Sequence, residues 1–171
     1  MLSESARMTT AKEAAFRVNY PNSLPRAIKI VGLDPAGTAM VRRLAAQQDW
    51  RNATFFASVS ADWDPKRPWG TPIHASLVDL SGQPRDLVEE IGAANLVVMI
   101  ATAGETAEAA ALIAEVCSLK RVMITGLLLA TDESSDAAVA RTLKALRPYA
   151  PMLVVSGEQD YVAAMLAALR A

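Results

Sequence analysis

LVVMIATAGETAEAAALIAEV, residues 96–116, is the stretch that decides the fold of this 171-residue chain. Its first six residues are all apolar, which is typical of a central strand covered on both faces. A short polar turn follows at residues 102–106, and an alanine-rich helix comes directly after the turn. Strand, turn and helix in this order form the unit from which parallel sheets with crossover helices are built.

The same alternation extends along the chain in both directions. Strands are predicted at residues 26–32, 53–61, 73–80, 96–101, 121–129 and 152–156. Helices are predicted at residues 38–48, 85–93, 106–119, 134–146 and 160–171, with Pro84 at the first position of the second helix and Ser134 or Ser135 capping the fourth. We therefore predict a three-layer α/β fold, Rossmann-like, with helices on both faces of a mostly parallel sheet.

Length and composition set the domain organisation and exclude several classes of protein. Residues 26–171 are predicted to form a single α/β domain, preceded by a flexible extension at residues 1–25. Seventeen basic and eighteen acidic residues give a net charge of −1, which argues against nucleic acid as a partner. The apolar stretches are shorter than the roughly 18 residues that a membrane span needs. With one cysteine and no secretory signal, we expect a cytoplasmic protein.

Four stretches resemble, in their order, the nucleotide-binding domain of the tubulin/FtsZ family. IKIVGLDPAGTAMVRRL, residues 28–44, is similar to the family's first strand, glycine-rich loop and first helix. TFFASVSAD, residues 54–62, is similar to its second strand and the turn after it. Residues 87–116 and 122–158 are similar to its later strands and helices, including the signature loop. The resemblance implies a fold like the FtsZ N-terminal domain.

The residues with which that family binds GTP are mostly replaced in this chain. The family's signature loop is a GGGTGTG-type run whose amides approach phosphate closely, and only Gly104 matches one of its glycines. Glu105 and Glu108 in the same loop would repel a phosphate. In the first loop, Asp34 and Pro35 stand where the family has glycines, and Pro35 has no N–H to donate.

Two further departures concern hydrolysis. An acidic and a basic residue that the family uses near the ribose and phosphates fall on Thr131 and Ser135. The sequence ends one short helix after the last strand, so we expect no counterpart of the family's long central helix. The resemblance therefore implies a degenerate, truncated relative with no GTPase activity and no assigned catalytic residues, in which GTP is not the expected cofactor and any cofactor is unknown.

Ligands of such sheets bind beyond the carboxyl ends of the strands, so the turns after the first and central strands hold the candidates for nucleotide contact. These candidates are Gly32, Asp34, Gly37, Thr38, Gly104 and Thr106. A structural interpretation of the same turns stays open: Asp34 can satisfy backbone amides of its turn, and Thr102 or Thr106 can cap the following helix.

The loop DWDPKRPWGTP, residues 62–72, is the candidate for partner binding. Trp63, Arg67 and Trp69 combine indole rings with a guanidinium group, as binding hot spots do, and three prolines stiffen the loop. We predict contacts with a protein partner or a second copy there. The alternative is that both indoles fold back and cover the edge of the sheet.

The remaining reactive side chains carry no assigned chemistry. His74 has no histidine or cysteine neighbour in the sequence, so no metal site is predicted. Cys117 lies in an apolar helical run and is predicted to be a buried core residue. Met165, Leu166 and Leu169 on the last helix are either core or a contact for a partner's helix.

The sequence favours a degenerate tubulin/FtsZ-like domain that acts through protein or small-ligand contacts. Two alternatives stay open. The first is an enzyme or sensor that binds a different nucleotide or metabolite in the crevice after the strands. The second is a Rossmann-type dinucleotide-binding domain unrelated to the tubulin/FtsZ family, which the order of the strands would separate from that family.

Overall fold

The structure of the chain, a computed structural model, describes residues 26–47, 50–61, 66, 74–131, 133–156, 159–169 and 171. Within these residues the strands are β1 (Ile28–Gly32), β2 (Ala53–Ala61), β3 (Ala75–Asp79), β4 (Pro84–Asp86), β5 (Leu96–Thr102), β6 (Met123–Leu129) and β7 (Met152–Ser156). The helices are α1 (Pro35–Gln47), α2 (Leu87–Gly92), α3 (Ala109–Lys120), α4 (Asp136–Leu146) and α5 (Gln159–Ala168). The predicted N-terminal extension, residues 1–25, lies outside the described residues.

The strands form one sheet in the order β4-β3-β2-β1-β5-β6-β7. β2, β1, β5, β6 and β7 are parallel, whereas β3 runs antiparallel to both of its neighbours. The predicted fold class, a mostly parallel Rossmann-like sheet, is confirmed. Counted alone, the parallel strands have the doubly wound order 2-1-3-4-5, whose switch point lies between β1 and β5.

Helices cover both faces of the sheet, so the fold has three layers. Side chains of α1 and α5 pack on one face, where Ile30, Val98 and Leu127 are buried. Side chains of α2, α3 and α4 pack on the other face, over Val97 and Met99. The nearly continuous burial of β1 and β5 explains why their sequences are apolar without alternation. None of the helices described is long and apolar enough to cross a membrane.

The starts of three predicted helices differ from the structure by two or three residues. Pro84 does not begin a helix: it lies in the short edge strand β4, where its missing N–H costs little, and Asp86 caps α2 at Leu87. α1 begins at Pro35, three residues before its predicted start. α3 begins at Ala109 with Glu108 as the capping residue, so neither Thr102 nor Thr106 caps it. Ser135 caps α4, as predicted, by accepting the amide of Ala138 at 3.2 Å.

An ion pair that the sequence did not predict attaches α2 to the sheet. Lys29 in β1 is only 9% exposed, and its Nζ lies 2.6 Å from Oε2 of Glu90. The same ammonium group lies 5.8 Å from the ring centroid of Phe56. Removing either charge would leave the other poorly solvated, so loss of either residue should destabilise the contact between α2 and β1.

Candidate functional site: the crevice between β1 and β5

Gly32 and Gly37 bring the start of α1 against the ends of β1 and β5. A Cβ on Gly32 would lie 2.7 Å from the backbone nitrogen of Thr38. A Cβ on Gly37 would lie 2.6 Å from the carbonyl oxygen of Ile100. Both distances are too short for real contacts with rigid backbone atoms. These two candidate glycines therefore fill a packing role that needs no ligand.

Asp34 joins the loop after β1 to the loop after β5, and we call the region outside the carboxyl ends of these two strands the crevice. Its Oδ1 accepts the Gly37 amide at 2.7 Å and the Thr102 hydroxyl at 2.9 Å, and its Oδ2 accepts the Thr102 amide at 2.7 Å. The residue is 7% exposed. A protein carboxylate thus occupies the position at the start of α1 where a phosphate would need the same amides.

The other polar groups of the first loop are also used within the protein. The Thr38 hydroxyl donates to the carbonyl of Ala57, at the point where the pairing of β2 with β3 shifts register. The Thr38 amide donates to the carbonyl of Asp34 at 2.8 Å, and the Leu33 amide donates to Ile100 at 2.8 Å. Thr38 therefore holds α1 to β2 instead of presenting its hydroxyl to the crevice.

Four successive amides of the second loop, from residue 102 to residue 105, are likewise committed. After the Thr102 amide has bonded to Asp34, the Ala103 amide donates to Leu129 at 2.9 Å and the Glu105 amide donates to Thr102 at 3.1 Å. The Gly104 amide donates to the Thr142 hydroxyl at 2.9 Å. A phosphate-binding loop would direct such amides at its ligand, and this loop directs them at the protein.

Gly104 turns its loop away from the crevice and toward α4. Its φ of +93° is a left-handed conformation that favours glycine, and a Cβ there would lie 3.5 Å from Ala138 in α4. Thr142, which is completely buried, accepts the Gly104 amide and so holds the turn against α4. Thr106, the remaining candidate of this loop, is exposed and makes no hydrogen bond to a described residue. The structure therefore groups Gly32, Asp34, Gly37 and Thr38 and places Gly104 and Thr106 on the α4 side.

A cavity of about 410 Å³ lies between this loop, α3 and α4. Ala107, Ala111 and Ala145 line it together with Tyr149, and charged groups come from Arg141, Glu105 and Glu108. No ion pair among the described residues involves Arg141. Gly104 and Thr106, two of the candidates predicted from the sequence, also line this cavity. Arg141 and Tyr149 were not predicted, because they lie more than thirty residues from the loop. One sequence signal was available: Thr142 is a polar residue on the buried face of α4, where its hydroxyl bonds to the loop that borders the cavity.

The lone cysteine is a core residue, as predicted. Cys117 is 1% exposed in α3, and desolvation by burial raises the pKa of its thiol to about 12. Leu166 in α5 is completely buried in the core between the sheet and helices α1 and α5. Met165 and Leu169 are partly buried and pack against the same core, which is the core alternative predicted for them.

His74 is exposed immediately before β3. Asp79, at the far end of that strand, accepts the amides of Ser81 and Gln83 and the Ser81 hydroxyl. These hydrogen bonds, the one from the Ser81 hydroxyl first, lower the pKa of the Asp79 carboxyl. Among the residues that the structure covers, no three His, Cys, Asp or Glu side chains are placed to hold a metal ion.

The predicted partner-binding residues Trp63, Arg67 and Trp69 lie outside the described residues, so their role stays a prediction. The chain matches no protein-family model. A search of curated proteins finds no similar sequence either.

Proposed function

We propose that this domain is a degenerate relative of the tubulin/FtsZ nucleotide-binding domain that has lost phosphate binding and acts through protein contacts. One observation carries the proposal: the buried carboxylate of Asp34 accepts the amides of Gly37 and Thr102. A phosphate at the start of α1 would have to displace this carboxylate or lie against its negative charge. The resemblance of residues 28–158 to that family supports the ancestry.

The dinucleotide alternative receives less support from the topology. A dinucleotide-binding fold consists of two βαβαβ halves with parallel strands. In this chain β3 is antiparallel to β2, so one half lacks its third parallel strand. The committed amides of residues 102–105 are equally unfavourable for a pyrophosphate.

The cavity between α3 and α4 favours a second candidate function, a sensor or enzyme for a small metabolite. Its volume of about 410 Å³ lies in the range of small-molecule sites. An alanine floor, the Arg141 guanidinium and the carboxylates of Glu105 and Glu108 suit a ligand that carries both an anionic and a cationic group.

The test is the melting temperature of the full chain with GTP, ATP or NAD at millimolar concentration. A ligand present at 100 times its dissociation constant would stabilise the domain by about 2.7 kcal/mol, which is several degrees for this size. We expect a shift below about one degree, which corresponds to a stabilisation of less than about 0.5 kcal/mol. A shift of several degrees with GTP would contradict the proposal.

Two variants assign any shift that is observed. A metabolite that stabilises the wild type and Asp34→Asn but not Arg141→Ala binds in the cavity between α3 and α4, which would support the second candidate. A nucleotide whose effect depends on Asp34 and not on Arg141 binds in the crevice, and the loss of phosphate binding is then wrong.

A further inference from the structure

The two edges of the sheet differ in how they are protected against pairing with another strand. β4 is three residues long and consists of a proline and two charged residues, which are common means of protecting an edge. β7, with the sequence MLVVS, has no charge and no proline. Its pairing with β6 shows no register shift. Within the described ranges no strand pairs with the outer edge of β7.

The ladder between β6 and β7 determines which backbone groups stay open. The Ala130 amide donates to the carbonyl of Ser156, so the backbone groups of Ser156 face β6. Backbone groups alternate in direction along a strand. Those of Val154 therefore also face β6, whereas the N–H and C=O groups of Leu153 and Val155 point outward. Each copy of the chain thus presents two donors and two acceptors at this edge.

Apolar side chains flank this open edge on both faces of the sheet. Leu153 packs into the core on the side of α2–α4, and Val154 packs into the core on the side of α1 and α5. Val155 lies on the same face as Leu153 and is 48% exposed, and Met152 lies on the same face as Val154 and is 49% exposed. Exposed apolar side chains beside an unprotected strand edge are unfavourable in an isolated domain and favourable in an interface.

We propose that two copies of this chain pair through β7, antiparallel, about a two-fold axis at Val154. Leu153 of each copy then forms a hydrogen-bonded pair with Val155 of the other, and Val154 faces its own counterpart in a non-hydrogen-bonded pair. Among registers confined to β7, this one alone uses all the open backbone groups. A shift by one residue would place outward groups opposite groups that are already bonded to β6.

A second copy is the occupant that this geometry favours. The register is self-complementary, as an isologous two-fold contact requires. Since β7 carries no charge, the two-fold axis brings no like charges opposite each other in the strands, and a net charge of −1 adds little repulsion. The dimer would join two seven-stranded sheets into one. This inference rests on the proposed function, because it names the partner in the protein contacts assigned there.

Light scattering of the full chain across the micromolar range gives the first test, with Val155→Pro and Val155→Thr as a matched pair. Proline removes an outward N–H that the monomer does not use, so the melting temperature of the monomer should change little. The dimer loses two of its four hydrogen bonds, and its dissociation constant should rise roughly 10- to 100-fold. Threonine keeps the N–H and the preference for strands, and the dimer should persist.

Disulfide formation tests the register. Val154→Cys places a thiol opposite its own counterpart, where the Cα atoms of a non-hydrogen-bonded pair are about 4.5 Å apart, within reach of a disulfide. In Val155→Cys the two thiols lie on a diagonal and should cross-link more slowly. Cys117 is buried and does not interfere.

Each outcome decides the inference. A concentration-dependent dimer that Val155→Pro weakens and Val154→Cys cross-links supports it. A chain that is monomeric throughout overturns it, and protection of the Leu153 and Val155 amides from hydrogen exchange in that monomer would identify another segment of the chain as the occupant. A dimer that survives Val155→Pro uses another surface and also overturns it. Nucleotide binding is measured separately, so a monomer that binds no GTP leaves the proposed loss of phosphate binding standing.

Discussion

Replacing Asp34 by alanine should destabilise the domain far more than the loss of an ordinary helix cap. The carboxylate accepts three hydrogen bonds at 2.7, 2.7 and 2.9 Å, two of them from backbone amides. Hydrogen bonds to charged groups contribute about 1.5–3 kcal/mol each and do not add fully. Because alanine leaves two poorly solvated amides without an acceptor, we expect a loss of about 3–5 kcal/mol in the free energy of unfolding.

Asp86→Ala is the matched control. Asp86 also caps a helix, but it is exposed and accepts a single amide, that of Glu89 at 2.8 Å. Its replacement should cost about 1 kcal/mol. In urea the Asp34 variant should unfold at a midpoint lower by about 2 M, given a slope near 2 kcal/mol per molar, while the control shifts by about 0.5 M. Equal shifts would refute the assignment of Asp34 as the link between the two loops.

The remaining predictions concern packing and partner contacts. Gly37→Ala should destabilise the ligand-free domain by about 1–3 kcal/mol, because the new Cβ meets the rigid carbonyl of Ile100. Gly92→Ala is the control and should be neutral or stabilising, because its Cβ would lie 3.5 Å from the flexible side chain of Lys120. Equal effects of the two substitutions in chemical denaturation would argue against a packing role for Gly37. Cys117 should react with a thiol reagent only after denaturant is added, since burial raises its pKa to about 12, and rapid labelling of the native protein would contradict this. Replacing Trp63 and Trp69 together by alanine should leave the melting temperature unchanged and weaken binding of any captured partner by about 2 kcal/mol or more for each tryptophan. An unfolded variant would show that the indoles are core.

Elements whose residues are buried by the sheet itself were predictable from the sequence. The prediction for β5 differs from the observed bounds by one residue, because a run of apolar residues is typical of a strand that is buried on both faces. β7 was also predicted with its observed bounds, from its apolar and β-branched residues, although it lies at the edge of the sheet and is only partly buried. Pro84 was misinterpreted because proline suits both the first turn of a helix and an edge strand, and the choice depends on pairing with β3.

Only the local contacts of the candidate site could be predicted from the sequence. The local bond from the Gly37 amide to Asp34 follows a common pattern of aspartate before a helix. The bonds from Thr102 to the same carboxylate join residues 68 positions apart, and nothing in either segment alone indicates them. The pairing of Lys29 with Glu90 is hidden for the same reason, since a lysine in a short strand is usually taken as exposed.

The link through Asp34 also has a consequence for folding kinetics. Its two partners, the start of α1 and the end of β5, meet only after the chain from residue 35 to residue 101 has placed β5 beside β1. Hydrogen bonds with this geometry need the final positions of both loops, so we expect them to form after the transition state, with a low φ-value for Asp34. Loss of this carboxylate should therefore accelerate unfolding and leave the refolding rate almost unchanged, so the link acts as a kinetic latch on the native state.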